Sequence, residues 1–279
     1  MERCLIIDGH NLLFRMFYGI PGTIKNSKGE DIKAVIGFVS GLIKYINKFS
    51  PNHAVVVFDS ETSIASKCDV YEEYKSNRIN YLDVPDNENP FTQLPYIFKV
   101  LDQLNIQYKE AQEYEADDYI ASICHKYRAQ YEIIVVSTDQ DFYQLVNDNI
   151  FLFNPCRKDG IMYTAERIYK KWGVLPSQIV EYKAIVGDKS DNINGIKGIG
   201  PKTAQKILSL GNINTVIEKD LLDDKLSNML KEKLDLINRN IKLITMKKDI
   251  PIVNESFALR DKIKLNKKPM EIIKESGVY

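Results

Sequence analysis

The stretch Tyr182 to Leu208 reads YKAIVGDKSDNINGIKGIGPKTAQKIL. Two carboxylates, Asp188 and Asp191, stand three residues apart, and seven residues after the second begins Gly198-Ile-Gly-Pro-Lys202. A Gly-x-Gly turn that opens a helix presents backbone N–H groups at the positive end of the helix dipole, where they bind phosphate. One short segment therefore offers oxygen ligands for a cation and amides for a phosphate backbone. Neither half is specific alone. Together they point to a metal-dependent enzyme that holds nucleic acid, if the rest of the chain supplies the remaining ligands.

Upstream, three apolar runs each end in acid. Arg3 to Ile7 runs into Asp8, His53 to Phe58 into Asp59, and Glu132 to Val136 into Ser137-Thr-Asp-Gln-Asp141. Between them, Val35, Phe38, Val39, Leu42, Ile43 and Ile46 recur at helical spacing, which predicts a helix over 33–49. Pro95 to Leu104 reads as a further helix, Glu113 to Ile120 as the start of another, and Ile106 to Lys109 and Ile150 to Phe153 as strands. Strands alternating with helices imply an α/β fold, a mostly parallel sheet covered on both faces. Residues 60–92 change character: they are polar, carry Pro85 and Pro90, and show no core face. From residue 164 onward the pattern is helical only, with a long charged stretch at Leu222 to Met246 and a lysine-rich tail after Pro251. The expected organisation is an α/β domain at 1–180, with its insertion at 60–92, and a smaller helical module at 181–279.

In an open parallel sheet, ligands bind beyond the carboxyl ends of the strands. Asp8, Asp59, Asp139 and Asp141 would meet there. Glu115, Asp117 and Asp118 sit at a helix start, and Asp188 and Asp191 complete a set of nine. Taken singly, Asp8, Asp59 or Asp139 could be a turn or helix cap, and Asp117 with Asp118 could serve the helix dipole. Taken together, so many like charges at one edge cost several kcal/mol each to desolvate unless a cation joins them. The donors are hard oxygens without His or Cys, which suits Mg²⁺ or Mn²⁺ better than zinc. A calcium loop beginning at Asp188 would need Gly and Glu where Ile193 and Ile199 stand, so that reading fails. Lys75 and Arg78 lie in the insertion that leaves the sheet after Asp59, where two cations could steady a phosphate under attack. Arg15 lies one helical turn beyond the Asp8 loop. Lys183 and Lys202 flank the Asp188 pair and the Gly turn and are candidate phosphate contacts; solvated surface charge is the plainer alternative for each.

The totals set bounds. A chain of 279 residues, 44% apolar and 27% charged, buries a full core and is long enough for two domains. Its 38 basic and 38 acidic residues cancel, which counts mildly against a nucleic-acid binder unless an acidic cluster offsets basic patches elsewhere. The four cysteines (Cys4, Cys68, Cys124, Cys156) form no CxxC pair, and the run Leu5 to Ile7 is too short for a signal or anchor. The expectation is a cytoplasmic protein with reduced thiols that does not enter a membrane.

With these motifs in order, the sequence resembles the structure-specific 5′-nuclease (flap endonuclease) family, in particular the 5′→3′ exonuclease domain of bacterial DNA polymerase I and its stand-alone relatives. The matching residues are LIIDGHN (5–11) with Arg15, Phe58-Asp59, YKSNR (74–78), EYEADD (113–118), STDQD (137–141), KAIVGDKSDN (183–192) and GIKGIG (195–200), covering residues 1–210. The resemblance implies a PIN-like core, a helical arch built from the polar insertion, and a helix–hairpin–helix (helix-2-turn-helix) module that grips duplex DNA. It implies one metal ion on Asp8, Asp59, Glu115, Asp117 and Asp118 and a second on Asp139, Asp141, Asp188 and Asp191. It implies catalytic roles for Lys75, Arg78 and Arg15, DNA contacts from Tyr74, Lys183, Gly198, Gly200 and Lys202, and a potassium ion in the Gly195–Gly200 hairpin. The implied activity is 5′→3′ exonuclease and flap endonuclease hydrolysis of DNA that leaves 5′-phosphate ends.

Two departures stand out. The helical region is followed by no polymerase or proofreading segment, so coupling to synthesis is expected through a separate DNA polymerase, with the nuclease itself a monomer. The insertion is also rich in acid and amide (Asp83, Asp86, Asn87, Glu88), less basic than a DNA-threading arch should be. Other classes remain open. A junction-binding protein without catalysis would not need nine carboxylates. A phosphatase of the haloacid dehalogenase type needs Asp-x-Asp after the first strand, whereas Asp8 is followed by Gly-His. A nuclease acting on RNA–DNA hybrids, as in primer removal, is the nearest rival.

Overall fold

The computed structural model describes residues 1–60, 70–71, 73–77, 79, 81–156, 158–252 and 263–279, with backbone only at Leu82. Its centre is a six-stranded sheet in the order β3-β2-β1-β4-β5-β6. The strands are β1 (Glu2–Asp8), β2 (His53–Asp59), β3 (Gln107–Ala111), β4 (Tyr131–Val136), β5 (Ile150–Asn154) and β6 (Ile161–Tyr163). β1 to β5 run parallel, and β6 turns back antiparallel on β5. The central strands read as continuous apolar runs because both faces are buried. Leu5, Ile7, Val56, Phe58, Ile134 and Val136 face one layer; Cys4, Ile6, Val55, Val57, Ile133 and Val135 face the other.

The first layer holds α1 (Gly9–Gly19), α2 (Lys33–Phe49) and α3 (Leu94–Gln103). The second holds α4 (Ala116–Tyr127), backed by the later helices. Successive strands step from β1 to β2 to β3 on one side, and the chain then crosses to place β4 on the other side of β1. This is a topological switch point, where the loops leaving two neighbouring strands part and open a crevice. Asp8 and the 137–141 loop stand at that crevice.

After β6 come α5 (Ala165–Trp172), α6 (Ile179–Val186), α7 (Pro201–Ser209), α8 (Ile213–Glu218), α9 (Asp224–Glu232) and α10 (Leu234–Ile244). Local chemistry sets several starts: Thr164, Asn212 and Asp223 each accept a backbone N–H from the first turn that follows. Three sequence expectations change. Residues after 164 are not helical only, because Gly187–Asp188 (β7) pairs antiparallel with Ile193–Asn194 (β8). The stretch Leu222 to Met246 is two helices, since Asp223 caps α9 and the backbone leaves helical geometry at Lys233 (φ −107°, ψ 15°).

The tail is the third. It does not stay with the helical module: α11 (Pro269–Glu275) buries Ile272 and Ile273 in the core layer of α2 and α3. Asn47 fastens the returning chain by donating to the Leu265 carbonyl and accepting its N–H. Burial of those isoleucines outweighs the lysine-rich composition that assigned the tail to the other lobe.

In the insertion, residues 61–69, 72, 78 and 80 lie outside the described residues, so the expected helical arch is described only in part. Its described part has turns at 70 and 73–77 and short 3₁₀ segments at Tyr81–Asp83 and Pro90–Gln93. No described helix is long and apolar enough to cross a membrane.

Candidate active site

Asp8 ends β1 and begins α1. Its Oδ1 accepts the Asn11 N–H at 3.0 Å, and its Oδ2 accepts the Ser137 hydroxyl at 2.7 Å. Asn11 and Thr138 bond reciprocally across the switch point, at 2.7 and 3.1 Å, and so lock the β1 loop to the β4 loop. Burial pushes the Asp8 carboxyl up to about 6, with the charges of Asp59 and Asp139 adding to it. Asp59 accepts the Ala116 N–H at 2.7 Å, which joins β2 to the start of α4. Burial raises the Asp59 carboxyl too, but the adjacent His10, the hydrogen bond from the Ala116 N–H and the charge of Lys75 outweigh it, so the net direction is down.

Glu115 is buried at the start of α4, where Lys75 donates to Oε1 and the Tyr74 hydroxyl lies 3.5 Å from the same oxygen. Asp117, in the first turn of α4, is held well above the usual carboxylate range by burial and by the charges of Asp139, Asp59 and Asp8. Asp139 accepts the Asp141 N–H at 2.8 Å. Burial pushes Asp141 up to about 7 against the opposing charge of Lys183, with Asp139 and Asp191 adding to the rise. Lys183 is buried and bridges the two acids, donating to Asp141 Oδ1 and to Asp188 Oδ2 at 2.7 Å. Burial alone would lower the Lys183 ammonium, but its two carboxylates hold it above the ordinary lysine value. Asp188, raised by burial, is drawn below its usual range by Lys183 and Ser190. Asp191 is buried, and its carbonyl accepts the Lys75 N–H at 3.1 Å.

The crevice thus gathers Asp8, Asp59, Glu115, Asp117, Asp139, Asp141, Asp188 and Asp191 with two buried ammonium groups among them. Asp118 is buried as well, but one of its oxygens accepts the Lys247 N–H at 2.8 Å, so it also anchors the chain leaving α10. Three expected contacts come out differently. Arg15 donates to the Tyr45 hydroxyl at 3.0 Å and makes no hydrogen bond or ion pair to these acids among the described residues. Tyr74 is 4% exposed, its ring beneath the Lys75 ammonium, so it packs into the acid cluster instead of facing solvent. Lys183 is an internal counter-ion. Arg78 lies outside the described residues.

The remaining DNA-directed residues are open. Gly198 adopts φ +94°, a turn that disfavours a side chain, and a Cβ at Gly200 would meet nothing within 4 Å. Lys202 is exposed at the N-terminus of α7, whose first residue, Pro201, has no N–H to leave unpaired. A cavity of about 540 Å³ is lined both by the acids and by this helix start, with Asp139, Lys183 and Asp188 among its walls together with Trp172, Tyr182 and Pro201.

The donors suit a hard divalent cation, and the raised values of Asp8, Asp117 and Asp141 mark a cluster short of positive charge. With the lysine bridges in place, no three acid, imidazole or thiol groups close around a single point among the described residues. The donor set therefore fits such an ion, provided the side chains turn. His10 was not singled out from sequence, although its Nδ1 accepts the Asp59 N–H at 3.2 Å inside a box of Phe14, Phe58 and Phe91. Its place two residues after a strand-ending Asp was the available signal.

Two family models match in sequence order: the 5′-3′ exonuclease N-terminal resolvase-like domain at residues 3–173 and the 5′-3′ exonuclease C-terminal SAM fold at 174–267. A 5′-3′ exonuclease of Aquifex aeolicus is 34% identical over 278 residues, 98% of this chain and 92% of that protein. The DNA polymerase I of Caldicellulosiruptor bescii is 35% identical over 271 residues, 93% of this chain, but the match spans only 31% of the polymerase. Among solved structures, a bacteriophage T5 flap endonuclease complex with DNA and metal ions superposes with a TM-score of 0.72 at 24% identity, covering 99% of this chain and 98% of that one, a likeness of fold. By both models and by the Aquifex relative, the chain belongs to the 5′-3′ exonuclease family.

Proposed function

We propose that the protein is a metal-dependent, structure-specific 5′ nuclease that cuts DNA at 5′ ends and at the base of 5′ flaps. One observation carries this reading: the acids of three strand ends, a helix start and the 187–192 loop meet at the switch point, and a cavity leads from them to an open helix N-terminus. The first suits a cation and the second a phosphate backbone, and they sit on one path. Family membership and a neighbour solved with DNA and metal ions support it.

Two Mg²⁺ ions, or Mn²⁺ in their place, would supply an activated water and stabilise the leaving 3′ oxygen. Asp8, Asp59, Glu115, Asp117 and Asp118 would hold one ion, and Asp139, Asp141, Asp188 and Asp191 the other. Lys75 and Lys183 neutralise Glu115, Asp141 and Asp188 in the protein alone. Lys75 would join Arg78 in steadying the scissile phosphate, and Lys183 would remain available to a phosphate beside Asp141 and Asp188. The Gly198–Lys202 turn binds the duplex through backbone amides and Lys202, contacts that read shape and not sequence; a K⁺ ion in the Gly195–Gly200 hairpin would strengthen that grip. Relatives that carry this region within DNA polymerase I support work beside a DNA polymerase; a cytoplasmic setting and RNA–DNA hybrids as further substrates belong to the same proposal.

Asp139→Ala and Asp188→Ala should each lower flap cleavage by more than about 100-fold, because a lost ligand costs at least as much as a lost outer-shell partner. Binding of a flap duplex, measured by fluorescence anisotropy, should survive in both. Near-normal turnover in either variant would refute the two-ion assignment.

A further inference from the structure

Outside the acid cluster, one buried polar group grips both legs of the loop that carries Asp188 and Asp191. Asn240, on α10, is 0% exposed. Its Nδ2 donates to the carbonyl of Ala184 at 2.9 Å and to that of Asn194 at 2.8 Å. Ala184 lies in the last turn of α6, where carbonyls lack helical partners, and Asn194 is on β8, where the loop returns. One amide thus fixes the spacing between the helix that enters the loop and the strand that leaves it.

Arg239 orients that amide. Its Nη2 donates to Asn240 Oδ1 at 3.0 Å, which fixes the carbonyl side and turns the NH₂ toward the two backbone oxygens. The same guanidinium lies 4.2 Å from the centre of the Tyr71 ring, in the insertion. The insertion holds the loop from its other side. Lys75 N–H donates to the Asp191 carbonyl, Asn77 to the Lys189 carbonyl at 3.1 Å, and Asn192 to the Glu73 carbonyl at 3.0 Å. The loop is therefore clamped between the insertion and α10, and Arg239 touches both the insertion and the Asn240 amide.

We infer that Asn240, oriented by Arg239, is a positioning residue that sets the placement of Asp188 and Asp191 as ion ligands. The inference rests on the two-ion reading above. A buried amide that contacts no acid, yet links the two legs of their loop from the α10 side beside the β7–β8 pairing, acts through loop geometry. Removing its donors loosens the spacing of the legs beyond their β7–β8 pairing and takes a partner from the buried Ala184 carbonyl.

The test uses Asn240→Leu, similar in volume but without donors, and Arg239→Met, which keeps the side-chain stem and loses the guanidinium on a partly exposed residue. Mn²⁺ binding is followed by electron paramagnetic resonance without DNA, and flap cleavage is measured across Mg²⁺ concentrations. Asn240→Leu should weaken one class of Mn²⁺ site by about 10- to 100-fold, the range seen for outer-shell partners of metal ligands, and leave the other class in place. Its Mg²⁺ requirement for cleavage should rise in step, with turnover recovering at high Mg²⁺. Arg239→Met should shift both in the same direction by less. Unchanged Mn²⁺ affinity in folded Asn240→Leu would overturn the inference; if that variant fails to fold, unchanged affinity in Arg239→Met would do so. Wild-type cleavage that persists in EDTA would defeat the two-ion reading itself, and this inference with it, an outcome distinct from a variant that binds Mn²⁺ normally.

Discussion

Asp8 caps a helix, accepts a hydroxyl from the next strand's loop and still sits close enough to Asp59 and Asp139 to be raised by their charge. Such crowding has a consequence in pH. The unfolded chain ionises its carboxyls near the ordinary value of 3.8, whereas folded Asp8 and Asp141 ionise at about 6 and about 7. Between those limits the folded state binds more protons, so a rise in pH through this window removes stability. Asp59 and Asp188 are depressed and work in the opposite sense, but their stabilisation is already complete above the ordinary carboxylate value and is lost only as pH falls below it. With EDTA present, the thermal midpoint should therefore fall from about pH 5 to about pH 8, and Mg²⁺ should flatten the fall by favouring the ionised acids. A midpoint that is level or rises in EDTA over that range would contradict the crowded-acid account. At this scale the acids were legible because strand ends and a helix start are visible in the pattern of apolar runs. The roles of Tyr74, Lys183 and Arg15 were not, because a sequence does not tell an internal counter-ion from a solvated one, and nothing in the spacing links Arg15 to Tyr45.

At the scale of elements, the 187–195 segment depends on close backbone approach. A Cβ at Gly195 would stand 2.3 Å from the Val186 carbonyl carbon and 2.5 Å from the Gly187 nitrogen, and backbone cannot step aside as a flexible side chain can. Gly195→Ala should separate the two legs of the loop, destabilise the protein by about 1–3 kcal/mol in urea unfolding, and raise the Mg²⁺ needed for cleavage. A variant with unchanged stability and Mg²⁺ response would show that the close approach has no consequence. The parallel strands and α2 were readable because their apolar residues recur with a definite period. The pair β7 and β8, two residues each, carries no period at all, and the break at Lys233 has neither Gly nor Pro to announce it. The return of α11 to the first core was hidden for a related reason: two adjacent isoleucines in a lysine-rich tail make too short a signal to name a partner.

For the molecule as a whole, zero net charge conceals a local separation: acids gather at the switch-point crevice, while Lys202 is exposed beside Pro201, which lines the cavity. Duplex binding should then fall with salt, and Lys202→Ala should weaken it while reducing the slope of log K against log salt by about 1, with Mn²⁺ binding unchanged. An affinity that matches wild type at every salt concentration would remove Lys202 from the interface. The most direct test of the central claim is cleavage of a labelled 5′-flap duplex with Mg²⁺, beside an EDTA control and the same strand left single. Cuts near the junction that require Mg²⁺ and are absent from single-stranded DNA are the result expected of this site. No cleavage of the flap under Mg²⁺, with tight junction binding retained, would contradict it.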